Sequence, residues 1–213
     1  VTGAGANIGR EIALSFAREG ANVIVCDYKE ENAKAVAKEI EEMGGEAMVA
    51  VCDVRDREKI FAYAKEAIAR FGRIDVLVNN AGIMYCQGIA ETSERMLKLI
   101  MMVHMNTPMM LCRKYVVGMK ERGNGYILNI SSLAECMNWP GIGMYGATKR
   151  FVKDYSRELR IECQKTGVSV TNAYFGAVDT PLIPLKDSLR KLARGLAVMI
   201  TTQKAVDKAL KAT

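Results

Sequence analysis

Features that would tie the chain to a metal or a membrane are scarce in the sequence. Its 213 residues include one histidine, one tryptophan and four prolines. The six cysteines are scattered without a Cys-x-x-Cys pair, so the sequence predicts neither a zinc site nor a disulfide framework. Free thiols fit a reducing compartment, and we expect a cytoplasmic protein. No apolar run approaches the roughly eighteen residues of a membrane span, so we expect no membrane partner.

The charge pattern is not of the kind that attracts nucleic acids. The formal net charge is +6, but Lys and Arg are interleaved with Glu and Asp instead of forming one basic run. We therefore expect no nucleic-acid partner. Half of the residues are apolar, which is enough for one core, and nothing in the sequence marks a second domain.

A glycine-rich turn lies near the start of the chain and leads into an amphipathic helix. Glycines let the backbone approach a pyrophosphate, and the N-terminus of the helix directs unpaired N–H groups at it. Such a turn can also end a strand without binding anything. The candidate phosphate-binding residues are Gly3, Gly5, Asn7, Ile8 and Gly9.

Short runs of β-branched and apolar residues alternate with amphipathic stretches along most of the chain. Strands separated by helices of about ten to fifteen residues are typical of a parallel sheet covered on both faces. The sequence thus predicts an α/β fold, a three-layer doubly wound parallel sheet (Rossmann-like) in a single domain. A ligand of such a sheet binds outside the carboxyl ends of the strands. The predicted strands are residues 22–27, 47–52, 74–78, 126–130 and 168–173.

Asp27 ends the first of these strands, eighteen residues after Gly9. At about this spacing a carboxylate accepts the ribose 2′-hydroxyl of a dinucleotide. The same carboxylate would repel a 2′-phosphate, so Asp27 favours NAD over NADP. The alternative is that Asp27 caps the helix that begins near Glu30, a common position for aspartate.

Ser132, Tyr145 and Lys149 form the candidate catalytic group. Tyr145 and Lys149 are four residues apart, so on a helix their side chains share one face. A free phenol has a pKa of about 10, and an adjacent ammonium would lower it toward the working range of an acid/base. Ser132 would hold a substrate oxygen. A surface tyrosine and lysine with this spacing by coincidence are the alternative.

Together these motifs resemble those of the short-chain dehydrogenases/reductases, over residues 1 to 181. The glycine turn is similar to the cofactor loop of that family, residues 79–82 match its Asn-Asn-Ala-Gly, and the three candidate catalytic residues match its catalytic trio. The resemblance implies that Tyr145 is the acid/base, that Ser132 orients the reacting oxygen, and that Lys149 lowers the phenol pKa and holds the nicotinamide ribose. It also implies cofactor contacts at Asp53, Val54, Asn80, Ala81, Gly82, Tyr145, Lys149, Gly176, Val178 and Thr180.

Three positions depart from the family pattern. Asn7 replaces a glycine of the cofactor loop, which asparagine tolerates because it visits left-handed conformations. Phe175-Gly176 stands where the family has Pro-Gly. His104 replaces the asparagine that takes part in the proton relay of the family. We predict either that His104 joins this relay or that it is a packed histidine with both nitrogens satisfied by backbone groups.

The resemblance implies an NAD(P)-dependent alcohol dehydrogenase or carbonyl reductase, which transfers a hydride between nicotinamide and a secondary alcohol or ketone. Residues 135–139, 144 and 174–175 are expected near the substrate and are mainly apolar, which favours a steroid-like or acyl-like compound. The alternative is a dinucleotide-binding regulatory protein without turnover.

The ends and helices of the chain carry further expectations. Only two residues precede the glycine turn, so the domain of residues 1–213 is expected to lack its first and last strands in this sequence. Residues 181–200 are predicted to form a substrate loop or lid, and residues 202–212 an exposed helix. Within a Met-rich segment, residues 93–120, the helix at 96–119 is predicted to join subunits of a homo-oligomer together with the helix at 145–164, and the resemblance implies a tetramer.

Overall fold

Parallel strands and helices alternate in the computed structural model, which describes residues 1–138, 140–180, 191, 193, 195–196 and 199–211. The helices are α1 (Asn7–Arg18), α2 (Glu30–Glu42), α3 (Arg57–Phe71), α4 (Glu94–Met101), α5 (Thr107–Arg122), α6 (Gly143–Glu162) and α7 (Thr202–Leu210). The strands are β1 (Val23–Asp27), β2 (Ala47–Val51), β3 (Val76–Asn79), β4 (Gly125–Ser132), β5 (Val168–Phe175), β6 (Ala177–Val178) and β7 (Met199–Ile200).

The strands pair in parallel, and the doubly wound α/β fold predicted from the sequence is confirmed. β1 pairs with β2, and β4 lies between β3 and β5. Val1 and Thr2 lie between β1 and β3, because Thr2 bridges Cys26 and its N–H donates to the carbonyl of Val78 at 3.0 Å. The first residues of the chain thereby join the two groups of strands.

Apolar side chains fill both faces of this sheet. Successive residues of a strand point to opposite faces, so Leu77 and Ile127 pack in one core while Val78 and Leu128 pack in another. The first core lies against α3, α5 and α6, and the second lies against α1 and α7. A third cluster of apolar side chains comes from α1, α2 and β1.

A chain of buried amides crosses the sheet to α6. The Nδ2 of Asn79 donates to Oδ1 of Asn129 at 2.8 Å, and Nδ2 of Asn129 donates to Oγ of Ser156 at 2.9 Å. A hydrogen-bonded polar chain of this kind specifies one register of the packed elements. It fixes α6 relative to β3 and β4 and therefore fixes the residues at the ends of those strands.

The Met-rich segment forms two helices joined by a wider helical turn. One turn of π-helix, Met102–Asn106, separates α4 from α5, and Pro108 follows it in the first turn of α5. The wider turn buries Val103 and His104. Single π-turns inside helices are frequent at functional sites.

Two further expectations concern the last part of the chain. The helix predicted as exposed is α7, but Ala205, Val206 and Ala209 are buried against the second core, so that prediction is wrong for one face. The predicted substrate loop, residues 181–200, lies largely outside the described residues. Among the helices that are described, none is long and apolar enough to cross a membrane.

Candidate active site

The glycine turn is held against the end of β3 by Thr2 and Asn80. The Thr2 hydroxyl donates to the carbonyl of Val78 and accepts the N–H groups of Asn80 and Ala81 at 3.0 and 3.1 Å. The side-chain amide of Asn80 donates to the carbonyls of Thr2 and Gly3 at 2.9 and 3.0 Å. These bonds bring the two predicted motifs together at the carboxyl edge of the sheet.

The turn itself has the conformation that a phosphate-binding loop needs. Gly3 and Asn7 have positive φ angles of 64° and 50°, so asparagine does adopt the left-handed conformation expected of it. A side chain at Gly9 would collide with the carbonyl of Gly3. No side chain caps the N-terminus of α1 at Ala6, which leaves the first N–H groups of the helix directed into the cleft.

Asp27 lies at the end of β1 beside this turn. Its Oδ2 accepts the N–H of Gly5 at 3.0 Å, and its Oδ1 accepts the N–H of Lys29 at 3.0 Å. A Cβ at Gly5 would stand 2.8 Å from Oδ2, so only glycine permits this approach. The residue that caps α2 is Lys29, without a side-chain bond, and not Asp27.

Asp53 follows β2 and faces the same cleft. Arg55 forms a two-pronged hydrogen bond with it, with Nε at 3.0 Å from each oxygen. This side-chain hydrogen bond lowers the pKa of the Asp53 carboxyl. Both side chains are partly exposed at the rim of the cleft.

The cleft has a volume of about 610 Å³, within the range that holds a small ligand or cofactor. It brings together most of the residues predicted to bind a dinucleotide. Groups of His, Cys, Asp and Glu arranged to hold a metal do not occur among the described residues. The predicted residues in its walls are Gly3, Asn7, Ile8, Gly9, Asp27, Asp53, Val54, Asn80, Ala81, Gly82, His104, Tyr145, Lys149 and Thr180.

Some predicted residues lie outside these walls, and other residues were missed. Ser132 lies beside Tyr145 and not among the wall residues, and Gly5 acts through Asp27. Val178 is buried in the pairing of β6 with β7, and Gly176 lies just before β6. Leu99 and Val103 are four residues apart, and apolar residues at this helical spacing usually belong to the core, so the sequence gives no reason to place them in a cleft. The wall residues that the sequence did not single out are Ala6, Tyr28, Lys29, Asn32, Cys52, Arg55, Ile83, Leu99, Val103, Ile130 and Ser131.

Tyr145 and Lys149 lie at the inner end of the cleft, on the first two turns of α6. Both are buried, and the Lys149 ammonium is 5.9 Å from the centre of the phenol ring. The Nζ of Lys149 donates to the carbonyl of Ile130 at 3.0 Å. Ser132 lies close enough to Tyr145 to act on the pKa of the phenol, so the three predicted catalytic residues lie near one another.

The pKa of the phenol differs from the expectation. Burial raises the pKa of Tyr145, and the nearby Ser132 side chain opposes this rise only in part. The expected lowering by Lys149 does not dominate, because the ammonium bonds the carbonyl of Ile130 and not the phenol. Burial also lowers the pKa of Lys149 to about 8, against an opposing influence of the Glu135 carboxylate.

Residues expected near the substrate divide into exposed and buried ones. Tyr174 is exposed at the end of β5, whereas Phe175 is packed in the second core. Glu135 is buried, and its Oε2 accepts the side-chain amide of Asn172 at 3.1 Å. Trp139 lies outside the described residues. Phe175, at the end of β5, and Glu135, in the turn after β4, are therefore buried and do not make the substrate contacts expected of them.

His104 occupies the position expected for the proton relay, but both of its nitrogens are engaged. Its Nε2 accepts the N–H of Ile83 at 3.0 Å, and its Nδ1 lies 2.9 Å from Oγ1 of Thr148. The side chain is 1% exposed, and burial lowers its pKa to about 2. The geometry thus agrees with a packed, neutral histidine, with one contact to a hydroxyl in place of a second backbone group.

Known proteins share both sequence and fold with this chain. A family model described as short chain dehydrogenase matches residues 1–189. The probable oxidoreductase EphD of Mycobacterium tuberculosis is 36% identical over 184 residues, which cover 86% of this chain and 31% of that protein. This chain therefore spans about a third of the length of EphD.

A second relative and a solved structure extend the comparison. A 3beta-hydroxysteroid dehydrogenase of Mediterraneibacter gnavus is 32% identical over 186 residues, covering 85% of this chain and 66% of that protein. A gluconate 5-dehydrogenase from Burkholderia cenocepacia, in complex with NADP and tartrate, superimposes with a TM-score of 0.87 at 27% identity. That match covers 98% of this chain and 84% of the other.

Lys149→Met should stabilise the folded chain at neutral pH. Because folding lowers the lysine pKa from 10.5 to about 8, the buried ammonium opposes folding below about pH 8. This penalty is on the order of 3 kcal/mol, and losing the bond to Ile130 cancels about 1 kcal/mol of the gain. Urea unfolding at pH 7 should therefore show a net gain of about 2 kcal/mol.

The pH dependence of that gain follows from proton binding. Between about pH 8 and 10.5 the unfolded chain binds more protons than the folded one, so the stability of the natural chain rises with pH. The advantage of Lys149→Met should shrink over this range. Lys153→Met, one turn further along α6, is the control and should show no such change. A constant advantage from pH 7 to about pH 10 would contradict the assignment.

Proposed function

The chain belongs to the short chain dehydrogenase family, and we propose that it is an alcohol dehydrogenase or carbonyl reductase that interconverts a secondary alcohol and a ketone. It is an oxidoreductase of that family with an NAD(P)-type Rossmann fold. The observation that carries the proposal is that Tyr145 and Lys149 lie together in the wall of a cleft that the glycine turn begins, with Ser132 beside Tyr145.

The residues of the cleft fit a nicotinamide dinucleotide. The uncapped N-terminus of α1 suits the pyrophosphate, since its N–H groups and helix dipole favour an anion. Asp27 and Asp53 suit the adenosine end, and Tyr145, Lys149 and Thr180 suit the nicotinamide end. The nicotinamide, when bound, supplies or accepts the hydride.

The side chains perform the proton chemistry. Tyr145 donates its phenolic proton to the carbonyl oxygen during reduction and takes it back during oxidation. Ser132 hydrogen-bonds the same oxygen and stabilises the charge that develops on it. Lys149 places a positive charge near the phenol, and this charge favours the phenolate after the proton has left. The raised pKa of Tyr145 makes the protonated, donating form the resting one.

We propose a hydrophobic ketone or hydroxy compound, steroid-like or acyl-like, as the substrate. An apolar cluster beside the phenol supports this class: Ile83, Met84, Tyr85, Ile142 and Met144 pack around Tyr145 and Ala134. The relative that is a 3beta-hydroxysteroid dehydrogenase supports it too. The gluconate dehydrogenase of similar structure shows that the fold also serves a polar substrate, so polar ketones belong in the test.

The experiment is a screen of hydrophobic and polar ketones and alcohols with NAD(H) and NADP(H), followed by absorbance of the reduced nicotinamide. Turnover of a steroid or acyl ketone above that of polar ketones supports the proposal. Bound dinucleotide without turnover of any compound would instead favour a regulatory dinucleotide-binding protein.

Tyr145→Phe should lower kcat by about 10²–10⁴, the usual loss when a general acid/base is removed. Binding of the dinucleotide should persist, because the phenylalanine keeps the ring that packs in the cleft. Tyr155→Phe removes a hydroxyl from another tyrosine of α6 and serves as the matched control, with kcat near that of the natural chain. A Tyr145→Phe enzyme of full activity would overturn the mechanism.

NAD should be preferred over NADP by at least about tenfold in kcat/KM, since a hydrogen bond to a charged group contributes about 1.5–3 kcal/mol. Asp27→Asn removes the charge with little change of shape, and it should reduce this ratio. Asp53→Asn is the control, because the carboxylate paired with Arg55 should affect both cofactors alike. Equal use of both cofactors by the natural chain would leave Asp27 as a support of Gly5 only.

We also propose a homo-oligomer, a tetramer, joined through α4, α5 and α6. Met101, Val117 and Ile161 are large apolar side chains that stay exposed on these three helices. Exposed apolar surface on adjacent helices supports a subunit contact. Light scattering at micromolar concentration should give a mass about four times that of one chain, and a monomer mass would reject the proposal.

A further inference from the structure

The His104 ring and three groups near it form a continuous run of hydrogen bonds, that is, a chain in which each group bonds the next. The N–H of Ile83 donates to Nε2 of His104, and Nδ1 of His104 lies 2.9 Å from the hydroxyl of Thr148. That hydroxyl donates to the backbone carbonyl of Tyr145 at 2.8 Å. The run therefore starts in the loop after β3, which lines the cleft, and ends on the backbone of the catalytic tyrosine.

The run has one consistent set of proton positions. A backbone N–H can only donate, so Nε2 must accept from Ile83 and carries no proton. In a neutral imidazole the proton is then on Nδ1, which donates to Thr148, and the threonine hydroxyl is free to donate to Tyr145. Every donor in the run has an acceptor.

Charges near the ring favour the same neutral form. His104 is buried, and the Lys149 ammonium on α6 is the charged group that faces it, together with the edge of the Tyr145 ring at 5.7 Å between centroids. A Cβ at Gly82 would lie within 4 Å of both Nε2 of His104 and Nζ of Lys149. A second proton on the ring would have to stand on Nε2, against the Ile83 N–H and beside this cation.

We propose that His104 and Thr148 are positioning residues that tie the loop after β3 to the backbone of Tyr145, and that His104 carries no proton in the reaction. The part of this inference that concerns catalysis rests on the proposed function. The pair places the phenol relative to the cleft by holding the first turn of α6 at the carbonyl of Tyr145. The π-turn at Met102–Asn106 contributes by turning His104 inward, toward both partners.

The single histidine of the chain makes the protonation state directly measurable. Nitrogen-15 NMR of protein labelled only in histidine should show one neutral ring with its proton on Nδ1. The signals should not titrate between about pH 5 and 9, since the free imidazole titrates near pH ~6.5. A titration in this range, or a proton on Nε2, would overturn the proposal.

Paired variants test the positioning role. Thr148→Val keeps the shape but removes the hydroxyl, and it should lower kcat about tenfold, the size expected when one buried donor loses its acceptor. Thr148→Ser keeps the hydroxyl and should restore most of the rate. The pH profile of kcat/KM should stay unchanged in both variants. Thr166→Val is the matched control, since the Thr166 hydroxyl donates to the carbonyl of Cys163, three residues back, far from the cleft.

A double-mutant cycle separates action through His104 from a local effect on α6. In a His104→Leu background, Thr148→Val should add little further loss if the two residues act as one unit. Full additivity of the two losses, or natural activity of Thr148→Val, would overturn the proposal.

Hydrogen exchange at the Ile83 amide supplies a readout that needs no substrate. Exchange should be faster in His104→Leu than in the natural chain, and equal rates would count against the tie to the loop. If the screen finds no turnover, the proposed function fails, while the NMR and exchange results still decide whether His104 and Thr148 form this pair.

Discussion

The hydrogen bonds between Thr2 and the end of β3 are the constraint on which the rest of the site depends. One hydroxyl accepts two backbone N–H groups and donates to a third residue, and the Asn80 amide returns two bonds to the glycine turn. These groups lie in the middle of the sheet, where an unpaired polar group would be costly. The same bonds place the phosphate-binding turn beside the loop that carries Ile83, and so place the cleft.

Much of the fold and the composition of the cleft could be predicted from the sequence. The alternation of β-branched runs and amphipathic helices indicates a parallel sheet, and the carboxyl ends of parallel strands meet at one edge, which gathers Asp27, Asp53 and Asn80. These predictions succeed because they depend on local patterns and on topology. The π-turn between α4 and α5 could not be predicted in this way, since no residue of Met102–Asn106 carries a signal for it.

The properties of individual side chains were harder to predict, because they depend on burial. Spacing places Lys149 beside Tyr145, but it does not reveal that the carbonyl of Ile130 takes the ammonium or that burial raises the phenol pKa. A relay role for His104 depends on exchange of protons with solvent, and the sequence does not reveal that the ring is buried and bonded to Ile83 and Thr148. Nothing in the sequence marks Thr148 as a functional residue. Its role is visible only from its hydrogen bonds with His104 and Tyr145 in the structure.

The polar groups of the site fall into two kinds with different consequences. Asn79 with Asn129, and His104 with Thr148, hydrogen-bond each other and fix geometry without charge. Lys149 and Glu135 are buried charges, and within the described residues neither has an oppositely charged partner at ion-pair distance. Burying the Lys149 ammonium opposes folding, and the attraction of the Glu135 carboxylate across the turn after β4 offsets only part of that cost. Buried ionisable groups with shifted pKa values are typical of functional sites, so the Lys149 ammonium supports the proposed position of the reactive end of the cleft more directly than the glycine turn does.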